Sequence, residues 1–316
     1  MRAARFHRFG DPSVLQVEQV AWPAPRGNEV LIRVHASSVN GTDLHLRGGG
    51  LGLLMAGQLP FTPGFDVAGE VVGCGPAVTA FRPGDRVYAL LGHGGGGAAE
   101  YVTVRQERVG PAPASVDLIT AAAVPLSGLT ALQALRAEGR LQPGQKKRVL
   151  VYGASGGIGT FGIQLARIMG AHVTGVARAA KLETLRELGV DEAVSTDDLD
   201  LATTDGRWDV ILDTPPALKF GAVRSALTEN GVLVSTRGLP TRLSDAAAML
   251  PGARPRFAAV RTAERGLDLA FLSRLIDQGE LRVPVDRVFA LNDIRAAHEY
   301  AEGPDVRGKV VVSSWD

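Results

Sequence analysis

Between residues 149 and 159 the chain reads Val149-Leu150-Val151-Tyr152-Gly153-Ala154-Ser155-Gly156-Gly157-Ile158-Gly159, an apolar run that enters a cluster of glycines. The pattern is A-x-G-x-x-G, with Ala154 where the commoner dinucleotide fingerprint has its first glycine. Gly156 lets a pyrophosphate approach the backbone, and Gly159 lets the following helix pack against the strand. The N–H groups and positive dipole of the helix start attract phosphate. Ala154, Ser155, Gly156, Gly157, Ile158 and Gly159 are therefore the expected phosphate cradle; the bland alternative is a tight turn. The next strand-like run, 172–176, ends in Ala177-Arg178-Ala179-Ala180-Lys181. An NAD site usually carries an acidic side chain about 20 residues past the glycines for the ribose hydroxyls, whereas cations there suit a 2′-phosphate. Arg178 and Lys181, with no acid between them, point to NADPH; the competing reading makes them solvated residues at a helix start.

A phosphate loop of this kind needs a parallel sheet behind it, and the sequence pattern supplies one. From about residue 127, Leu129, Leu132 and Leu135 recur at helical spacing. Strand-like runs at 149–152, 172–176, 193–195, 210–212 and 232–235 then alternate with helical patterns. Strands apolar on both faces and joined by helices imply a doubly wound parallel sheet. The first third of the chain differs, with short runs at 30–34, 67–72 and 86–90 punctuated by Gly and Pro, as in a compact β domain. After residue 262 come one amphipathic helix on Leu267, Phe271, Leu272, Leu275 and Ile276, a strand at 285–290, a helix near 292–300 and a last strand at 309–312. That tail is too short to fold alone and is expected to complete the β domain. The expected organisation is a β domain over 1–123, a dinucleotide domain over 124–262 and the returning piece 263–316.

Composition excludes several other classes. The 316 residues are 45% hydrophobic and 21% charged, an ordinary globular balance. Lys plus Arg is 34 against 33 Asp plus Glu, so the net charge of +1 is too even for a chain built to grip a phosphate backbone, and no nucleic-acid partner is expected. The lone cysteine, Cys74, allows neither an internal disulfide nor a multi-cysteine zinc cage. A reducing, cytoplasmic compartment is the expectation. No run of about 20 apolar residues occurs, and the first residues lack the apolar core of a secretion signal, so no membrane partner is expected either.

Further motifs recur in a fixed order: Ser38-Val39-Asn40-Gly41-Thr42-Asp43, Pro63-Gly64-Phe65-Asp66-Val67-Ala68-Gly69-Glu70-Val71, Pro83-Gly84-Asp85-Arg86-Val87, Gly128-Leu129-Thr130-Ala131, the glycine loop, and Arg307-Gly308-Lys309-Val310-Val311. With them the chain resembles the medium-chain dehydrogenase/reductase superfamily and, within it, the zinc-independent quinone oxidoreductase (zeta-crystallin-like) branch, over essentially its whole length. The resemblance implies an α/β protein in which a GroES-like β domain, made of both termini, carries an inserted Rossmann doubly wound parallel-sheet domain. It further implies hydride transfer from NADPH in the cleft between the domains, and a homodimer paired edge to edge.

Zinc alcohol dehydrogenases of the same superfamily hold catalytic zinc through a cysteine, a histidine with a following glutamate, and a later cysteine or acid. The corresponding positions here look like Asn40, Phe65-Asp66 and Leu126, which lack the soft and nitrogen ligands, so no metal is expected. Without that Lewis acid, reduction of an electrophilic quinone or an α,β-unsaturated carbonyl is easier than oxidation of a simple alcohol. By resemblance the Asn40 amide lies near the carbonyl oxygen of the substrate. His45 stands where some relatives carry a tyrosine, as a proton donor or a lining residue, and Thr130 lies at the nicotinamide end of the cofactor. Two departures bear on the pocket. Asp213-Thr214-Pro215-Pro216 replaces a D-x-x-G turn, and Ser235-Thr236-Arg237-Gly238-Leu239 replaces a glycine-rich entry, so that Arg237 with Gly238 either meets an anionic group of cofactor or substrate or faces solvent. Two functional readings follow: a reductase of quinones or enones, which the residues do not separate, and an NADPH-binding protein with a regulatory or structural role and little turnover.

Overall fold

Alternating burial builds the first sheet. The computed structural model describes residues 1–50, 57–236 and 246–315, and these divide into two units, Met1–Leu126 with Glu264–Asp316, and Ser127–Ala263. In the first unit β1 (Arg2–Arg5) and β2 (Gln16–Gln19) form a two-stranded antiparallel pair. The long β3 (Glu29–Val39) buries Val30, Ile32, Val34 and Ala36 at the period of two that a pleated strand imposes. It leads through Asn40 into the short helix α1 (Gly41–Arg47). The strands β4 (Asp66–Cys74), β5 (Arg86–Leu90), β6 (Tyr101–Arg105) and β7 (Val109–Pro111) follow, then helix α2 (Leu118–Ala121). Val30, Ile32, Val67, Val71, Val87 and Val104 form the apolar core against this sheet.

Helix α3 (Pro125–Gln133) leads into the second unit, where strands and helices alternate: β8 (Arg148–Tyr152), α4 (Gly157–Ile168), β9 (His172–Ala177), α5 (Leu182–Glu187), β10 (Glu192–Ser195), β11 (Trp208–Asp213), α6 (Phe220–Val223), β12 (Leu227–Ser235) and β13 (Arg256–Ala259). All six strands pair in parallel in the order β10-β9-β8-β11-β12-β13. The order reverses between β8 and β11, and in doubly wound sheets ligands bind outside the carboxyl ends of the strands at such a switch point. Strand β12 begins at Leu227 rather than near residue 232, because Leu227 pairs with Trp208 before a register irregularity. Arg237 and Gly238 lie outside the described residues.

The chain returns to the first unit through α7 (Gly266–Asp277), β14 (Val285–Ala290), α8 (Ile294–Glu302) and β15 (Lys309–Ser313). The first unit's large sheet runs β14-β15-β3-β4-β5-β7, with β6 also paired to β3. Strand register sets Ser38 opposite Asp66, and Val39 opposite Val310, the neighbour of Lys309. The end of β3 and the starts of β4 and β15 therefore meet at one end of the sheet. The α/β class and the GroES-like plus Rossmann composition expected from the motifs are what the chain forms.

Candidate active site

In the second unit the glycine loop joins β8 to α4. Gly153 has φ +74°, and a Cβ there would lie 2.6 Å from Thr214 Oγ1 and 2.7 Å from Pro215 Cδ. At Gly159 a Cβ would lie 2.4 Å from the Gly153 carbonyl oxygen and 2.6 Å from Ala154 Cα, distances no side chain tolerates. Gly156 precedes α4 in an extended conformation and has no side chain to cap it, so the first-turn N–H groups stay available to a ligand. This cradle fits the phosphates of a dinucleotide. Ala154 is fully buried and donates from its N–H to the Val176 carbonyl (2.9 Å), tying the loop to β9. At the end of β9, Arg178 is exposed and Lys181 buried, and the Lys181 N–H closes a turn on the Arg178 carbonyl at 2.8 Å.

The double-proline segment supports this loop from below. The Thr214 hydroxyl donates towards the carbonyls of Tyr152 (2.9 Å) and Gly153 (3.1 Å), while Asp213 accepts from the N–H groups of Ala217 (3.1 Å) and Leu218 (2.9 Å). Pro215 thus stiffens a wedge beneath Gly153, and Asp213 takes up amides left over by the turn. Thr130, buried on α3, shares a hydrogen bond of 2.7 Å with the Thr262 hydroxyl, and Gln133 clasps the backbone of Ala263 through both amide atoms.

In the first unit the register of β3 with β4 and β15 gathers a buried polar cluster. Asp66, wholly buried, accepts from the Leu126 N–H (2.6 Å), the Ser38 hydroxyl (2.5 Å) and the Asn40 amide (2.9 Å), and its Oδ2 lies 3.5 Å from Lys309 Nζ. Lys309 Nζ also donates to Asn40 Oδ1. The other hydrogen of the Asn40 amide faces the Ser38 carbonyl at 3.2 Å, so both amide hydrogens have acceptors within the chain. Asp43, three residues into α1, accepts from the N–H groups of Asn40 (2.9 Å) and Gly64 (2.7 Å), the carboxylate half of a capping box turned inward. His45 is exposed on α1. Sequence reasoning reaches Asn40 and misses Asp43 and Lys309. The available signal is a lysine at the head of the apolar run Lys309-Val310-Val311-Val312, where a charge is buried only with a partner.

Burial pushes the Asp43 carboxyl up to about 7 against the pull of its two amide donors; the nearby Asp66 adds to the rise and Lys309 opposes it. Burial likewise lowers Lys309, opposed by the Asp66 and Asp43 carboxylates. Beside Asp43 lies a cavity of about 10 Å³ lined also by Ser37, Gly64 and His298. Ser37 Oγ and His298 Nδ1 are buried without hydrogen-bond partners. Burial, with Arg47 adding its charge, pushes His298 down to about 3. His298 therefore supports the fold fully above pH 6.5 and loses that support as pH falls towards 3, whereas Asp43 supports it below 3.8 and loses that support as pH rises through 7. Their slopes oppose one another over the shared range. His298→Gln removes only the first, so the variant should gain on the parent by about 1.4 kcal/mol for each pH unit lowered between about 6.5 and 4.5. Urea unfolding of both proteins at the two pH values measures this, and a gap independent of pH would contradict the buried, neutral imidazole.

A zinc ion does not suit this cluster. Asn40 Oδ1 and Asp66 Oδ2 already face the Lys309 ammonium, and the buried ring of Phe65, next to Asp66 in the chain, has no donor atom for a metal. Among the described residues no group of three His, Cys, Asp or Glu side chains could hold a metal.

Residues 26–114 match the alcohol dehydrogenase GroES-like domain family, and residues 188–312 match the zinc-binding dehydrogenase family. A chloroplast envelope quinone oxidoreductase homolog of Arabidopsis thaliana is 31% identical over 327 aligned residues, covering 99% of this chain and 98% of that one. The chain belongs to the quinone oxidoreductase branch of the medium-chain dehydrogenase/reductases, and it is an oxidoreductase. The quinone oxidoreductase of Sus scrofa is 32% identical, over 95% of this chain and 93% of its own. The solved structure of the quinone oxidoreductase from Coxiella burnetii superposes with a TM-score of 0.87 at 29% identity, covering 100% of this chain and 99% of that one. No helix among the described residues is long and apolar enough to cross a membrane.

Proposed function

We propose that the protein is an NADPH-dependent reductase that delivers hydride to a quinone or to the β-carbon of an enone, without a metal ion. The observation that carries the cofactor half is the open N-terminus of α4 followed, at the end of β9, by Arg178 and Lys181 with no acid in the 2′-position. The relatives favour a quinone as acceptor. Bound NADPH supplies the hydride; one proton from water completes the two-electron reduction to a hydroquinone. The residues then have separate tasks. Ala154 to Gly159 hold the pyrophosphate, and Arg178 and Lys181 pair with the 2′-phosphate. Thr130 sets the nicotinamide end. Asn40 acts through the buried cluster that it bridges, and His45, exposed on α1, exchanges the proton with water. The single thiol, Cys74, suits a reducing, cytoplasmic compartment. The edge strand β13 suits a homodimer, which light scattering would report as twice 33.2 kDa.

The test is NADPH and NADH oxidation with an ortho-quinone as acceptor. The double variant Arg178→Ala, Lys181→Ala should raise the Michaelis constant for NADPH about tenfold or more, since each charge-assisted hydrogen bond is worth about 1.5–3 kcal/mol, and leave that for NADH nearly unchanged. Equal rises for both cofactors would remove the 2′-phosphate assignment. Tight NADPH binding with no quinone- or enone-dependent oxidation would favour a binding role instead.

A further inference from the structure

The buried polar cluster at the end of β3 encloses a cation. Lys309, at the head of β15, is 3% exposed, and its ammonium meets a carboxylate oxygen, Asp66 Oδ2, and a neutral carbonyl oxygen, Asn40 Oδ1. Asp66 in turn is held from three more sides by Leu126, Ser38 and Asn40, so it cannot swing away from the ammonium without leaving a buried donor unpaired. A second carboxyl group, that of Asp43, is fixed by the backbone N–H groups of Asn40 and Gly64. An ammonium buried this way is retained only where its charge is compensated, and the arrangement gives it one anionic and one neutral oxygen.

We propose that Lys309 is the resident cation of this cluster and the positioning residue of Asn40: its ammonium fixes the orientation of the Asn40 amide through Oδ1. The cation half stands on geometry alone; the positioning half rests on the reductase activity proposed for the chain. Reversing the Asn40 amide would set its NH2 against the Lys309 ammonium and its carbonyl against the Asp66 carboxylate, so Lys309 and Asp66 together permit one orientation. With the polar edge of α1 held this way, the start of α1 and the exposed His45 four residues further on keep a fixed relation to the sheet.

Two measurements decide it. In lysine-labelled wild-type protein, the Lys309 side-chain signal, identified by its loss in Lys309→Met, should show a charged ammonium at pH 7; a neutral amine there would overturn the resident cation whatever the protein catalyses. In Lys309→Ala, single-turnover hydride transfer from NADPH to the ortho-quinone should fall ~100-fold, the cost of misplacing a site by about an ångström, with the NADPH dissociation constant changed less than about twofold. Ethylammonium, small enough to enter the space left by the side chain, should restore part of that rate, and tetramethylammonium should not. A variant that is less stable yet transfers hydride at the wild-type rate would show Lys309 to be a structural counterion only. Wild-type protein that oxidises no NADPH would defeat the reductase reading and leave the resident cation to the first measurement.

Discussion

Gly159→Ala should lose both stability and cofactor binding. The added Cβ would lie 2.4 Å from the Gly153 carbonyl oxygen and 2.6 and 2.8 Å from Ala154 Cα and C, all backbone atoms that cannot rotate aside. Helix α4 must then move off the loop, or the loop must open and give up the Ala154 hydrogen bond to β9. Overpacking of this kind costs about 1–3 kcal/mol, and the displaced first turn of α4 no longer presents its N–H groups to a pyrophosphate, so NADPH affinity should fall about tenfold or more. Gly221→Ala is the control, because a Cβ there meets nothing within 4 Å and α6 gains a better helix former. Urea midpoints and NADPH fluorescence titrations on the two variants measure the contrast. Equal behaviour would mean that the close contact of helix and loop does not shape the cofactor site.

Asp66→Ala should be the most destabilising single change in the first unit. It deprives the Leu126 N–H, the Ser38 hydroxyl and the Asn40 amide of their acceptor at once, and leaves Lys309 buried with one fewer carboxylate. Removing one partner of a buried ion pair costs about 3–5 kcal/mol, a large share of the roughly 5–15 kcal/mol that holds a typical domain folded. Asp66→Asn should cost less, since an amide oxygen still accepts from Leu126. Denaturant unfolding gives both numbers, and a loss under about 1 kcal/mol for Asp66→Ala would mean that water reaches the Lys309 ammonium.

The contrast between these two sites explains what is legible in the sequence. The dinucleotide loop is local: strand, glycines and helix fall within 20 residues of one another, β8 and α4 flank them, and the steric demands at Gly153 and Gly159 are written in the residue types. The alternation of apolar runs likewise announces the parallel sheet. The buried cluster is assembled from distant pieces, since Asn40 meets Asp66 across 26 residues and Lys309 across 269. Only the register of β3 with β4 and β15 brings them together, and register is a property of paired strands rather than of any one of them. Short elements are equally silent. Helix α1 opens on Gly41 and Thr42, poor helix formers, and is set by the caps of Asn40 and Asp43, while β13 is four residues following Pro255 and is defined by its pairing with β12. The role of Thr214 is hidden for the same reason, because its acceptors on β8 and the glycine loop lie 62 and 61 residues away.

Metal-free hydride transfer from NADPH to a quinone is open to a direct test. The most direct measurement is loss of NADPH absorbance with an ortho-quinone, using protein treated with a strong chelator and assayed for residual zinc. Turnover should be undiminished at negligible zinc content, with no gain when zinc is returned, because Asn40 Oδ1 and Asp66 Oδ2 already face the Lys309 ammonium. Activity that disappears on chelation and returns with zinc would contradict metal-free transfer.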